Sequence, residues 1–511
     1  VSLRSAIRAL WARLRPLPLA AAFLALAVPT VAHAAPQLQT GISDDGILLH
    51  APERAPAVVA RWAAAGIDTV RIQVRWVAAA PGELSPAQPL GFDARDPDDP
   101  QYDWAATDQA IALVVANGMA PLLVVTGSGP LWASRVPSLG NPRYQPDPVK
   151  FGQFAQAVAR RYGRVADRYL IWNEPNQPLW LQPQQECPVT GRRCTPVAPH
   201  TYRALVRTAY PAIHQADPGA QVIAGTLAPR GADPLRRNRP LHPLAFIRAF
   251  GCVDERYKPI RTGRCRGFQP ARIDGFAYHP HAIKASPSTP SPHRDDATIA
   301  DLKKLEKTLD AVQRARGFTT PTGAHAPLHL TELGYQTSPP DPYDGIPPAR
   351  QSRWLQEAAY TAWRDPRVRT LVQYEWQDEA VKSVGSGRKR YAGWQSGLLF
   401  ADGKAKPALA GFQHPFVADV TTLAPRVRFW GQARPGRAHS VLLQRRSPSG
   451  TWLTVARLRT DARGTFVKTL ALPGGRRGRY RTADPLPAPN VTSDTLTVTS
   501  AGGTRARTAG G

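Results

Sequence analysis

From about residue 40 to residue 415, short runs of apolar and β-branched residues alternate with longer stretches whose apolar positions recur at helical spacing. The runs Leu38 to Ile42, Thr69 to Val74, Ala120 to Thr126, Tyr169 to Trp172, Val222 to Gly225, Ile273 to Tyr278, Leu328 to Thr331 and Thr370 to Trp376 predict eight strands. Between them Pro56 to Ala65, Trp104 to Asn117, Val149 to Tyr162, Tyr202 to Gln215, Ala297 to Arg316 and Ala349 to Trp363 predict helices. Repeated strand-then-helix units of this number fit an α/β fold of the (β/α)8 TIM-barrel type with inserted loops. A doubly wound sheet is the alternative, but no Gly-rich phosphate loop follows any early strand.

Beyond Pro415 the texture changes. Val427 to Trp430, Ser440 to Gln444, Trp452 to Leu458, Thr465 to Leu472, Arg479 to Arg481 and Thr495 to Thr499 are short alternating runs separated by Gly, Pro, Ser and Asp. They predict a small all-β sandwich of immunoglobulin-like type over residues 416–500, after a barrel over 36–415. Residues 501–511, rich in Gly, Thr and Arg, are expected to be a disordered tail.

The N-terminal 35 residues read differently again. Arg4, Arg8, Arg13 and Arg15 precede an apolar run from Leu17 to Val28, and Ala32-His33-Ala34 supplies a small-x-small cleavage pattern. That is a secretory signal peptide, too short to span a bilayer, so the chain is expected to be secreted and without a membrane span. The four cysteines fall into local pairs, Cys187 with Cys194 and Cys252 with Cys265. Four cysteines allow three pairings, and in an oxidising compartment the two short-loop disulfides are the expected one.

Charge changes the picture less than its size suggests. The chain has 65 Lys and Arg against 38 acidic residues, a net +27, together with 52 prolines. Arg outnumbers Lys about five to one, the pattern of a GC-rich coding bias, and no nucleic-acid-binding motif is present. The excess is also local: residues 416–511 hold 15 Arg and one Lys against four Asp. A basic accessory domain of that kind is expected to attract an anionic cell-wall polymer rather than nucleic acid.

In an eight-stranded barrel, chemistry sits where strands end and βα loops begin. The strand ends here read Arg71, Trp172-Asn173-Glu174-Pro175, Tyr278-His279-Pro280-His281, Thr331-Glu332-Leu333-Gly334 and Tyr374-Glu375-Trp376. Glu174 and Glu332 terminate otherwise apolar strands, where a carboxylate is costly unless paired or used. Two carboxylates facing each other across a mouth lined by Trp, Asn, His and Arg are what glycoside hydrolysis needs: one gives a proton to the leaving oxygen while the other attacks the anomeric carbon.

These motifs resemble the retaining (β/α)8 glycoside hydrolase superfamily, the clan of cellulases and β-xylosidases, with families 5 and 39 nearest. The resemblance covers about Leu38 to Phe412. It implies Glu174 as acid/base in Asn173-Glu174-Pro175 and Glu332 as nucleophile in Thr331-Glu332-Leu333-Gly334. It also implies Arg71 beside the nucleophile, Asn173 on the sugar 2-hydroxyl and Trp376 beneath the sugar, with His279 and His281 in the same pocket. Ser396-Gly397-Leu398, Asp402-Gly403 and Lys406-Pro407 resemble the closing segment of such domains. One departure stands out: relatives carry His-x-Tyr at the end of the sixth strand, where this chain has His279-Pro280-His281. Trp132, on the loop after the third strand, is a further candidate sugar platform.

The expected function is therefore a secreted retaining glycosidase acting on a poly- or oligosaccharide, with a non-catalytic carbohydrate-binding barrel as the alternative. No metal or cofactor is expected, because no strand end offers a recognisable ligand set beyond His279 and His281. A serine hydrolase is excluded by the lack of a Gly-x-Ser-x-Gly elbow.

Overall fold

The computed structural model of the chain describes residues 37–188, 194–233, 238–421, 426–471, 478–485 and 491–498. The signal-peptide segment and the C-terminal tail lie outside the described residues. Eight parallel strands close into a barrel: β1 (Gln39–Ser43), β2 (Thr69–Arg75), β3 (Ala120–Thr126), β4 (Arg168–Ile171), β5 (Gln221–Leu227), β6 (Gly275–Tyr278), β7 (Leu328–Leu333) and β8 (Val368–Tyr374). Each strand pairs with its sequence neighbours, and β1 pairs with both β2 and β8. Eight main helices follow the strands in turn: α1 (Ala55–Ala64), α2 (Ala105–Ala116), α3 (Pro148–Tyr162), α4 (Ala198–Ala216), α5 (Pro243–Phe250), α6 (Leu302–Arg314), α7 (Pro348–Arg364) and α8 (Pro407–Gln413). The sequence pattern misses α5 and α8, each of eight residues or fewer, in which helical periodicity has too few turns to show.

Strand β3 shows why the barrel closes. It is almost wholly buried, because alternate residues serve two cores. Leu122 and Val124 join Leu170, Ile223, Ala277 and Val372 inside the barrel. Leu123 and Val125 face the helix layer with Phe151, Phe154 and Val158 of α3. That helix starts where Asp147 accepts hydrogen bonds from the Val149 and Lys150 amides with Pro148 in its first turn, and it ends on Arg160 and Arg161.

From Phe416 the chain forms antiparallel sheets. β9 (Phe416–Thr421), β10 (Arg426–Gln432) and β13 (Thr465–Ala471) make one. β11 (Ser440–Arg446), β12 (Trp452–Arg459), β14 (Gly478–Asp484), β15 (Val491–Thr492) and β16 (Leu496–Val498) make the other. Strand β9 was not expected from the sequence, and its two faces explain why it exists. Phe416 and Ala418 enter the core of the sheets, while Val417 packs with Trp430 against Ala359 and Tyr360 of α7.

The sheets are thereby fixed to the barrel. Trp430 lies 5.5 Å from the Tyr360 ring and 5.7 Å from that of Trp363, and Tyr360 donates to Asp419 at 3.0 Å. Gln356 of α7 donates to Asp494 at 2.8 Å and accepts from the Phe416 amide at 3.0 Å. At Gly66 a side chain has no room, since a Cβ there would lie 2.7 Å from the Pro435 backbone.

Both expected disulfides are present, Cys187–Cys194 and Cys252–Cys265. The first closes a loop after β4, and Arg264 beside the second pairs with Glu186 beside the first. No helix among the described residues is long and apolar enough to cross a membrane.

Because Trp430 is buried against α7, Trp430→Ala should cost about 3–5 kcal/mol in urea unfolding. Tyr360→Phe, which removes only the hydrogen bond to Asp419, should cost about 1 kcal/mol.

Candidate active site

Arg71 of β2 organises the mouth of the barrel. It points inward, level with Leu122 across the β2–β3 ladder, and its side chain is fully buried. Its Nη1 lies 3.0 Å from Glu332 Oε1 and donates to Ser43 Oγ at 3.3 Å, while Nη2 donates to Asn173 Oδ1. One guanidinium thus joins the ends of β1, β2, β4 and β7.

Glu332 reaches this partner through an irregularity. Leu328 and Leu330 belong to the core shared with the helices, so strict alternation would send Glu332 to the same outer side. Pairing of β7 with β8 slips between Leu330 and Leu333, and the slip turns the carboxylate to the mouth. The glycine two residues on has its own reason: a Cβ on Gly334 would sit 2.0 Å from the Tyr374 carbonyl oxygen.

Glu174 is presented by strained backbone. Trp172 and Glu174 adopt φ of 68° and 37°, values that non-glycine residues hold only when their surroundings impose them. The surroundings here are Thr226 of β5, whose carbonyl accepts from the Glu174 amide, and Asn176, whose side chain bonds the Ala228 and Leu241 backbone.

His279 and His281 complete the cluster. His279 Nδ1 lies 3.0 Å from Glu174 Oε1 and 3.5 Å from Glu332 Oε2. His281 Nδ1 lies 3.3 Å from the Gly334 amide nitrogen and 3.4 Å from the Gly334 carbonyl oxygen, and its Nε2 lies 3.6 Å from Glu332 Oε2. Burial alone would raise the Glu332 pKa, but His279, Arg71 and His281 more than reverse that and hold it well below the ordinary 4.5. Glu332 is therefore the fixed anion of the site. Glu174 is more open, its side chain 20% exposed against 7% for Glu332, and an oxygen of each lies within 4.8 Å of the other.

Two expected sugar platforms stand at the expected strand ends but have buried rings. Trp132 is 1% exposed, donates its indole N–H to the Pro81 carbonyl and packs on Trp76 and Phe92. Trp376 is also 1% exposed, lies in the core shared with the helices and has the Arg61 guanidinium 5.6 Å over its ring. Neither offers an open face. The aromatic residue beside the cluster is Trp394, partly exposed, stacked on His281 at 5.1 Å and edge-on to Tyr374 at 5.3 Å. It sits on the long loop after β8, where no periodicity marks it; its one signal is its place just before Ser396-Gly397-Leu398.

Sequence reasoning also missed a set of acids at the ends of β1 and β8. Burial raises Asp44 to about 7 and Asp45 to about 6, although Asp44 accepts amide hydrogen bonds from Ile47, Trp376 and Gln377. Glu375 is 4% exposed, and burial, with Asp44, Glu379, Asp378 and Glu332 nearby, raises it well above its ordinary value. Burial also raises Asp378, to about 6, against the pull of a buried ion pair with Lys406 at 2.7 Å. A cavity of about 780 Å³ opens at the other end of the barrel, lined by the strand starts Gln39, Ala120, Arg168, Gln221 and His329. That face of a barrel serves stability, not chemistry.

No protein-family model matches the chain, and no curated protein matches it. Among solved structures, a family 39 glycoside hydrolase from Bacteroides cellulosilyticus WH2 is similar at 14% identity and TM-score 0.48, over 86% of this chain and 80% of that one. A glucosidase from Croceicoccus marinus is similar at 13% identity and TM-score 0.49, over 86% and 94%. Xylanase B from Clostridium stercorarium F9 shows 13% identity and TM-score 0.41, over 74% and 96%.

The raised pKa of Glu375 has a definite sign. A group that binds its proton more tightly when folded contributes stability at low pH and loses it as pH rises through the folded pKa. Urea midpoints at pH 5 and pH 9 should therefore fall further in the wild type than in Glu375→Gln, which mimics the neutral acid.

Proposed function

We propose that the chain is a glycoside hydrolase acting by double displacement with retention, Glu332 being the nucleophile and Glu174 the acid/base. The observation that carries this reading is the pair itself: two carboxylates with oxygens within 4.8 Å, one held anionic and the other open to solvent. Retaining enzymes need their carboxyls about 5–5.5 Å apart, whereas inverting ones leave about 6.5–9.5 Å for a water.

In the first step Glu332 attacks the anomeric carbon and the glycosidic bond breaks, while Glu174 gives its proton to the departing oxygen. In the second, Glu174 takes a proton from water, the water oxygen attacks the same carbon, and Glu332 leaves as carboxylate. His279, Arg71 and His281 around Glu332 hold it in line and keep it ionised until it attacks. Asn173, which accepts a hydrogen bond from Arg71, takes the 2-hydroxyl of the sugar in this reading. Trp394 takes over the platform role from Trp376 and Trp132, its flat apolar face suited to a pyranose ring.

The substrate class that fits is a β-linked poly- or oligosaccharide met outside the cell, as the signal-peptide pattern and disulfides suggest. The basic sheets have a part in the same reading. Strand β12 leaves Arg457 and Arg459 exposed, and these support attraction to an anionic cell-wall polymer that salt would weaken.

Glu332→Gln should lower turnover of a β-glycan at least about a thousandfold, ~4 kcal/mol of barrier. Glu174→Ala should lose that substrate but still turn over aryl glycosides with good leaving groups. Proton NMR of the first product should show the anomer of the substrate. The inverted anomer, or glycan binding without turnover in the wild type, would overturn the reading.

A further inference from the structure

The outward face of the second sheet carries a band of arginines. Its inward side is fixed by Val441, Leu443, Leu458 and Tyr480, which belong to the core between the sheets. Strand alternation therefore turns Arg479 and Arg481 of β14 outward, and Arg446 of β11 with them. On β12, Arg457 and Arg459 stand opposite Leu442 and Ser440, and Trp452 stands opposite Arg446, so all three share that face. Arg446, Arg457, Arg459 and Arg479 are exposed, and Trp452 and Arg481 are partly so. The one acid on the strands of this sheet, Asp484, is buried on the inward side, 2.8 Å from His439 Nε2.

Edge protection explains only part of this band. Charged side chains guard an edge strand against pairing with another chain, which accounts for Arg457 and Arg459, because β12 has β11 as its one neighbour. Strands β11 and β14 have neighbours on both sides, so Arg446, Arg479 and Arg481 guard no edge. Arg446 and Arg479 each stand one residue beyond the Arg445–Tyr480 pair, on adjacent strands about 5 Å apart. Like charges placed side by side in this way cost stability unless an anion lies over them.

Trp452 and Arg481 add shape to the charge. The Arg481 guanidinium lies 4.3 Å over the Trp452 ring, and its Nε donates to Gln444 Oε1 at 2.9 Å. A guanidinium held in this way presents a fork matched to a carboxylate, beside an indole that is still partly exposed. A sugar ring bearing a carboxylate meets both groups, the fork with its charge and the indole with its flat apolar face. A polyphosphate chain, which has no rings, meets only the charge.

Taking the basic sheets as the part of the protein drawn to an anionic polymer, we propose that this face binds a uronic-acid glycan. The five arginines take its carboxylates and Trp452 takes a sugar ring. Strands β9 and β10 of the other sheet carry the contact with α7, so the bound glycan leaves that contact in place.

Calorimetry on the full chain with polygalacturonate and with polyphosphate, at low and high salt, tests this. Polygalacturonate should bind more tightly than polyphosphate and lose at least about tenfold in affinity at high salt. Arg457→Gln/Arg459→Gln/Arg479→Gln should weaken polygalacturonate binding at least about tenfold without changing the melting temperature. Arg256→Gln/Lys307→Gln/Arg314→Gln, which removes the same charge from exposed positions of the barrel domain, should bind like the wild type. Trp452→Ala should weaken polygalacturonate binding about fivefold and leave polyphosphate binding unchanged. Glu332→Gln should bind polygalacturonate like the wild type; loss of binding there would place the glycan in the barrel mouth and overturn the proposal. Equal losses in the two triple variants, or a Trp452→Ala effect that is absent or the same for both probes, would also overturn it. Polyphosphate binding without polygalacturonate binding would overturn the uronic-acid assignment and leave attraction to an anionic polymer standing, whereas binding of neither probe would overturn both.

Discussion

The mouth of this barrel depends on one buried charge pair, Arg71 with Glu332. A guanidinium with no solvent exposure is tolerable only when its charge and donors are answered, and Glu332, Asn173 and Ser43 answer most of them. The dependence is mutual. Arg71 joins His279 and His281 in opposing the burial that favours a proton on Glu332; without Glu332, the arginine would be an unpaired cation in an apolar interior. Because the partners belong to β1, β2, β4 and β7, the pair also sets the spacing of strand ends across the mouth.

Around that pair the site treats its carboxyl groups unequally. Arg71 and the two histidines hold Glu332 ionised, whereas burial raises Asp378 to about 6 although Lys406 in direct contact opposes it. Glu375, with no cation in contact and other acids nearby, has its pKa raised. Low dielectric makes each choice stark: a carboxyl there is either matched by a neighbouring positive group or favours its neutral form. Glu174 stands at the edge of this regime, partly in water.

The sheets after Phe416 are bound to the barrel through α7 by an aromatic cluster and by Asp494 and Asp419. This explains why strand β9 exists although the first alternating run that the sequence shows in this domain begins at Val427. Its inward residues serve one core and its outward Val417 serves another, so both faces are apolar for reasons that only the docked arrangement supplies. The basic surface of β12 lies on the second sheet, whereas β9 and β10 of the first sheet carry the contact with α7.

Local pattern determined a good deal here. Apolar runs of strand length alternating with helical periodicity identified all eight barrel strands, because residues buried on both faces leave an unmistakable signature. The motifs around Glu174 and Glu332 were legible for the same reason: a carboxylate ending an apolar strand is conspicuous. What tertiary structure alone decided was direction and encounter. Trp132 and Trp376 sit next to strand ends, but packing turned their rings into the interior, and a slip in the β7–β8 pairing turned Glu332 the other way, into the mouth. Trp394 comes from a long βα loop whose course is set by contacts with distant residues, not by any repeat in the chain. Periodicity is a property of a segment and its immediate neighbours; which side chains meet across the rim depends on how eight such segments close.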